Sequence, residues 1–318
     1  MSKNAKNLRF SPLFWPVELK GSVIRVLDET LLPHKVKYLK LKTYQAACKA
    51  IKEMKTRAVG QVLLVLYTFL LVVENSKGKP GLPLLRKVAK SLNSTRPTLS
   101  FKFLTDLVLG WAKSGLPLDR CILGFLEKLK ASRIKQAEEV SKLIKDGDTI
   151  LTHCNISGLM PLIGEFCRQQ KKAISFFVTE TRPYLQGSKL TAWELLQSGF
   201  RVTIITDNMA AQVMAEKKAN KVIVGSDNLA QNGDIANKIG TYGLAVLARH
   251  FKIPFYVICP PASKARTGND IKIEVRPDKE MLEIQGLRIA PLGAKGYYPA
   301  FDITPDKLIT KHIYLKLK

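Results

Sequence analysis

The pattern of apolar and polar positions changes after Gly147. Before it, helical spacings dominate. After it, short apolar runs alternate with helical stretches. The chain opens with a β-ribbon pattern, GSVIRVLDETLLP, from Gly21 to Pro33. Helical patterns follow in YQAACKAIKEMK, in the unbroken apolar run VLLVLYTFLLVV (Val62 to Val73) and in LLRKVAKSLNS. The apolar run is too short to span a bilayer, which takes about 20 residues. It reads as a helix buried on most sides. Gly and Pro density makes Asn75 to Pro83 a loop. A basic amphipathic helix is expected from roughly Pro117 to Lys145.

Beyond Gly147, five β-rich runs (TILTHC, AISFFV, RVTIITD, KVIVGS and PFYVICP) are separated by helical stretches. Runs of this kind predict a parallel sheet covered on both faces. The expected fold class is α/β: a Rossmann-like parallel sheet domain (131–318) with a smaller, mainly helical N-terminal domain (1–130). No GxGxxG follows the first strand, so a dinucleotide is not expected.

Ligands of such sheets bind at the carboxyl ends of the strands. Four consecutive runs end in polar or ionisable residues: His153-Cys154-Asn155, Glu180-Thr181-Arg182, Asp207-Asn208 and Ser226-Asp227-Asn228. Four such ends on one rim suggest a site. Neighbours on a strand point to opposite faces, so His153 should aim away from Cys154 and pack or hydrogen-bond instead. Cys154 and Asp227 are the better acid/base pair. The pair needs a thiol favoured as an anion by nearby cations, with Arg182 and Lys238 as candidates, and a carboxyl kept protonated by burial. NGDIANKIGT, Asn232 to Thr241, is expected to open a helix and suits a phosphate. Arg57 and Arg96 lie beside turn-prone residues from which an arginine can reach into a cleft. Together these residues suggest an anionic, hydroxyl-rich ligand such as a sugar phosphate.

Composition narrows the classes. Of 318 residues, 46% are hydrophobic, enough for a sizeable core. Five scattered cysteines without a CxxC spacing argue against a zinc or thioredoxin motif and for reduced thiols in a cytoplasm. The N-terminus lacks the apolar stretch of a signal peptide, so no membrane partner is expected. The formal charge is +25, with 26 Lys and Arg against 10 Asp and Glu in residues 1–140. Such a field attracts anions. No nucleic-acid-binding motif accompanies it, and nucleic acid is not the expected partner.

The segments VLDETLLP, ILTHCN, VTETRPYLQGSKLTAWEL, TDNMAAQVM, VIVGSDNLAQNGDIANKIGTYGLAVLA and GYYPAFDITP resemble 5-methylthioribose-1-phosphate isomerase. More broadly they resemble its superfamily, shared with ribose-1,5-bisphosphate isomerase and the regulatory subunits of translation initiation factor 2B. The resemblance runs from about Gly21 to the end and is densest after Gly147. It implies an aldose–ketose isomerase of a ribose 1-phosphate, with Cys154 and Asp227 catalytic. It also implies ligand contacts from Arg57, Arg96, Gln186, Asn237 and Lys238, no metal or other cofactor, and a homodimer. The alternatives it leaves are ribose 1,5-bisphosphate or another 5-substituted ribose 1-phosphate as substrate, or a non-catalytic regulatory subunit. One departure falls on the phosphate pocket. Ala58 follows Arg57 where the family carries a glycine whose freedom lets backbone amides approach phosphate.

Overall fold

In a computed structural model, residues 8–96 and 101–317 are described. The chain forms two compact units, one spanning Phe10–Arg133 and the other Ile134–Lys316.

In the first unit, β1 (Val17–Lys20) and β2 (Val23–Leu27) pair antiparallel across a turn where Gly21 takes φ +51°. β3 (Tyr38–Leu41) adds to β2. α1 (Tyr44–Lys52) starts on Thr43, whose hydroxyl accepts from the Ala46 N–H, a side-chain N-cap. α2 (Val59–Asn75) carries the apolar run. It buries Leu63 to Leu66 and Phe69 completely, so the run forms a core helix. α3 (Leu82–Asn93) follows, with Pro83 in its first turn where its missing N–H costs nothing. α4 (Lys102–Lys113) is a helix that the sequence pattern does not announce. It buries only Leu104, Thr105 and Val108, while Phe103 faces outward at 67% exposure. Its apolar stripe is blurred accordingly. α5 (Leu118–Ser141) contains the division between the units.

The second unit is built on β4 (Thr149–Thr152), α6 (Leu159–Gln169), β5 (Ser175–Thr179), α7 (Ala192–Gln197), β6 (Arg201–Ile205), α8 (Ala210–Ala215) and β7 (Lys221–Gly225). A hairpin of β8 (Asn228–Leu229) and β9 (Ile235–Lys238) follows. Then come α9 (Thr241–His250), β10 (Phe255–Cys259), α10 (Lys279–Leu282), the small ribbon β11 (Glu283–Ile284) and β12 (Leu287–Arg288), β13 (Phe301–Thr304) and β14 (Lys311–Tyr314). Six strands form one parallel sheet in the order β14-β10-β7-β4-β5-β6. Five of them are the apolar runs of the sequence. The sixth, β14, is the mixed sequence KHIY, with only Ile313 fully buried. A separate antiparallel sheet has the order β13-β9-β8. Leu151, Val222, Val224, Phe255 and Val257 pack with Leu244, Ala245 and Ala248 of α9 in one core.

The order has a physical consequence. From β4 the chain winds outward through β5 and β6, then returns to β7 and winds the other way through β10 and β14. β4 and β7 are therefore the pair between which the winding reverses, where a doubly wound sheet opens its ligand crevice.

Candidate active site

Cys154 lies two residues beyond the end of β4, and Asp227 two residues beyond the end of β7. The two strands are parallel neighbours in register, Ile150 opposite Lys221 and Leu151 opposite Val222. Adjacent strands are about 4.8 Å apart, so both residues leave the sheet at the same edge, on either side of the reversal. The loop after β4 packs on the end of β7: a side chain on Gly225 would come within 3.3 Å of Ile156. Cys154 is half-buried, whereas Asp227 is exposed, which corrects the expectation of a carboxyl kept protonated by burial.

The backbone at this edge is unusual. Cys154 has φ +62°, Ser157 +46°, Thr181 +61° and Leu185 +65°. For a β-branched threonine this is an outlier, and such residues persist where their surroundings over-determine them. Here hydrogen bonds do so. The Cys154 N–H donates to the Thr181 hydroxyl at 2.9 Å, and its carbonyl accepts from the Thr191 hydroxyl at 2.6 Å. The Thr181 and Arg182 N–H groups donate to the two carboxylate oxygens of Asp207, at 2.8 and 2.7 Å. The Asn155 amide donates to Thr191 and Glu194, and its oxygen accepts from the Ser157 N–H. The backbone on which Cys154 sits is thus held from three sides.

His153 is 2% exposed and turned into the fold. Its Nε2 lies 2.9 Å from the Ile239 carbonyl, which can only accept, so Nε2 carries the proton. Its Nδ1 then accepts from the Thr179 hydroxyl at 2.6 Å. Burial is the main influence on the ring and lowers its pKa, against the opposing pull of Asp207. His153 is a neutral, packed residue.

Gln186 shows the opposite condition. It is 1% exposed, yet neither its Oε1 nor its Nε2 has a protein partner. A buried carboxamide left this way costs about 1–3 kcal/mol, so a polar ligand is the natural partner. Gln186 immediately precedes a π-helical turn, Gly187–Thr191, that runs into α7. Such turns are frequent at functional sites. Gly187 is required there: a Cβ would lie 1.8 Å from the Thr179 carbonyl oxygen.

Asn237 and Lys238 are on β9, and the helix begins only at Thr241. This corrects the expectation of a helix start over the whole Asn232–Thr241 stretch. The Asn-Gly pair turns the chain instead, with Gly233 at φ +94°, and the residues on either side pair as a hairpin. That dipeptide is a strong hairpin signal in its own right. Both side chains are only 4% exposed. Asn237 donates to the Thr241 hydroxyl at 2.9 Å. The Lys238 ammonium lies 4.6 Å from the centre of the Phe301 ring and 5.8 Å from that of Tyr298. Asp302, opposite Asn237 on β13, accepts from the Gly240 and Tyr242 N–H groups at the start of α9. Burial raises its carboxyl to about 6, against the lowering effect of these hydrogen bonds and of Lys238.

Arg182 does not serve Cys154 as expected. Its guanidinium donates to the carbonyls of Pro183, Met281 and Glu283 and ties down the α10–β11 segment. Cys167 and Cys259 are buried, and burial pushes their thiols up to about 11 and 12. Among the described residues, no three His, Cys, Asp or Glu side chains gather as metal ligands would. None of the described helices is long and apolar enough to cross a membrane.

In the first unit, Arg57 and Arg96 flank one short segment. The Arg57 N–H donates to Glu29, and an Arg96 guanidinium N–H points at the Met54 sulfur. Pro97 to Ser100, which complete the STRPTLS segment, lie outside the described residues. Ala58 takes φ +41°, ψ −116°, a conformation that glycine adopts far more readily.

Thr191, Asp302 and Glu29 are supporting residues that the sequence did not single out, and Thr181 stood out there only as part of a polar strand end. Glu29 stands between two polar residues in LDET, whereas Asp302 and Thr191 have apolar neighbours on both sides and carry no such local sign.

Residues 62–314 match the profile of the initiation factor 2 subunit family. The chain is 38% identical to methylthioribose-1-phosphate isomerase 1 of Pseudothermotoga lettingae, over 91% of this chain and 90% of that protein. It is 39% identical to the methylthioribose-1-phosphate isomerase of Thermosipho melanesiensis, over 92% and 91%. Among solved structures it resembles 5-methylthioribose 1-phosphate isomerase from Pyrococcus horikoshii, with TM-score 0.82, 31% identity, and 96% and 94% of the chains covered. It also resembles the delta subunit of translation initiation factor eIF-2B from A. fulgidus, with TM-score 0.81, 32% identity and 94% of each chain covered.

Proposed function

The chain belongs to the initiation factor 2 subunit family, and from that premise we propose that it is a sugar-phosphate isomerase converting 5-methylthioribose 1-phosphate to 5-methylthioribulose 1-phosphate, a step of methionine salvage. The observation that carries the proposal is that Cys154 and Asp227 each follow the end of one of the neighbouring parallel strands β4 and β7, where the winding reverses. The fully buried, unpartnered Gln186 supports it.

The substrate's anomeric carbon carries phosphate, so its ring cannot open unaided. Asp227 donates a proton to the ring oxygen as the bond from C1 to that oxygen breaks. The resulting cation at C1 is shared with the phosphate-bearing oxygen. Cys154, as thiolate, removes the C2 proton, and that electron pair forms the C1–C2 double bond. The thiol then returns the proton to C1 while the C2 hydroxyl gives its proton to Asp227. The product has a ketone at C2, and both groups regain their starting states. General acid–base catalysis of this kind contributes about 10²–10⁴-fold. The start of α6, a few residues beyond Cys154, favours negative charge through its dipole.

Gln186, Asn237 and Lys238 hold the ligand, and Arg57 and Arg96 bind its phosphate. The protein works as a homodimer in the cytoplasm. Its five free thiols fit a reducing compartment. Leu196, Ile204 and Met209, about half-exposed along the β6 edge of the sheet, fit a subunit interface. The likeness to the A. fulgidus subunit favours a second reading, a non-catalytic regulatory subunit. The retained Cys154–Asp227 pair, for which that role has no use, speaks for the enzyme.

Phosphorus NMR of purified protein with 5-methylthioribose 1-phosphate and, separately, ribose 1,5-bisphosphate tests the proposal. The methylthio sugar is expected to turn over and the bisphosphate to react far more slowly. Turnover of the bisphosphate alone would reassign the substrate, and turnover of neither would support the regulatory reading.

A further inference from the structure

Glu29 is a buried carboxyl group that the reaction does not use. It is 7% exposed and sits just after β2. Its backbone N–H donates to the Lys55 carbonyl at 2.8 Å. Its Oε1 accepts from the Thr56 hydroxyl at 2.5 Å and from the Arg57 N–H at 3.2 Å. One residue therefore grips three consecutive residues, Lys55, Thr56 and Arg57. The next residue is Ala58 in its glycine-like conformation. A non-glycine residue held so is strained and persists only where neighbours enforce it. The other side of the segment is also fixed. The Gln61 amide donates to the Thr56 carbonyl, and Gly60 leaves the space that the Thr56 hydroxyl fills, since a Cβ there would lie 1.8 Å from it.

We propose that Glu29 is a positioning residue for anion binding, clamping the Lys55–Arg57 segment so that Arg57 and the strained backbone at Ala58 stay in the phosphate-binding arrangement. This rests on the assignment of Arg57 to the substrate's phosphate. Glu29 also acts through charge. The charged groups facing it are Arg57 and, with opposite effect, Asp28, which is itself paired with Lys55 at 3.2 Å. Burial raises the Glu29 carboxyl to about 7. Near neutrality it passes from a neutral clamp to one that adds negative charge beside Arg57 and opposes an arriving phosphate.

The test compares wild type with Glu29→Ala, Glu29→Gln and Glu29→Asp in steady-state turnover of 5-methylthioribose 1-phosphate and in equilibrium binding of inorganic sulfate. Sulfate mimics phosphate but does not titrate near neutrality. Glu29→Ala is expected to raise KM and the sulfate Kd about tenfold or more, with kcat changed far less. Glu29→Gln, whose amide oxygen can accept from both donors, is expected to recover most of that loss. Glu29→Asp, one methylene too short to reach both, should behave like the alanine variant and serves if that variant does not fold. Wild-type affinity for sulfate should fall about threefold or more from pH 6 to pH 8 and stay flat in Glu29→Gln. The proposal is overturned if truncation leaves KM and sulfate affinity unchanged, if it lowers kcat alone, or if the wild-type affinity shows no pH dependence. Sulfate binding needs no turnover, so a wrong sugar substrate would show in the kinetics and leave the binding result intact.

Discussion

At the scale of single residues, burial decides what each ionisable group can do. Glu29 has an ordinary value of 4.5 and is raised to about 7 in the fold, chiefly by desolvation. The fold therefore favours its protonated form. That contribution is fully present below about 4.5 and is lost as pH rises through about 7. The span corresponds to roughly 3 kcal/mol. Denaturant unfolding of wild type and Glu29→Gln should thus show wild type losing stability relative to the variant between pH 4.5 and 7. A constant difference would mean that the carboxyl is not buried as described. His153 runs the other way, since its lowered pKa means that the fold favours the neutral ring. The sequence placed His153 correctly as a packed neighbour of Cys154 by strand alternation alone. It could not foresee that Arg182 would turn to the carbonyls of Met281 and Glu283. A long side chain chooses its partner from the tertiary structure, and no local pattern encodes that choice.

At the scale of elements, the β-runs were legible because parallel strands buried on both faces read as unbroken apolar sequence. β14 and α4 were not, since each buries few residues and exposes others, which erases its period. The hairpin of β8 and β9 was hidden from periodicity for another reason, although its Asn-Gly turn is a local hairpin signal. Its strands are two and four residues long, shorter than a periodicity window. The π-helical turn before α7 has no sequence signature, but it has a steric one in Gly187. Gly187→Ala would drive a methyl group into the Thr179 carbonyl. The expected cost is about 1–3 kcal/mol of stability, with a raised KM because Gln186 moves with the turn. Thermal unfolding and kinetics of this variant check both. Unchanged stability and KM would mean that the segment can shift freely.

At the scale of the whole molecule, charge and assembly matter most. A formal charge of +25 attracts an anionic sugar phosphate over distances set by salt. The KM for the substrate should rise severalfold between about 20 mM and 500 mM salt, with kcat nearly unchanged. A salt-independent KM would reduce the charge to a solvated surface. Sedimentation should give twice the 35.5 kDa chain mass, and Ile204→Lys on the β6 edge should lower it. A monomeric wild type would remove the interface assigned to that edge. The winding order of the sheet could not be read from the sequence, because alternating strands and helices fit several orders. Yet that order makes β4 and β7 neighbours and gives Cys154 and Asp227 a common edge.

The central claim is that this edge performs proton transfer on a ribose 1-phosphate. The most direct test is turnover of 5-methylthioribose 1-phosphate by Cys154→Ser and by Asp227→Asn, with substrate binding measured on the same samples. The expected result is a fall in kcat of about 100-fold or more in each variant, with binding within a few-fold of wild type. Turnover near the wild-type rate in either variant would contradict it.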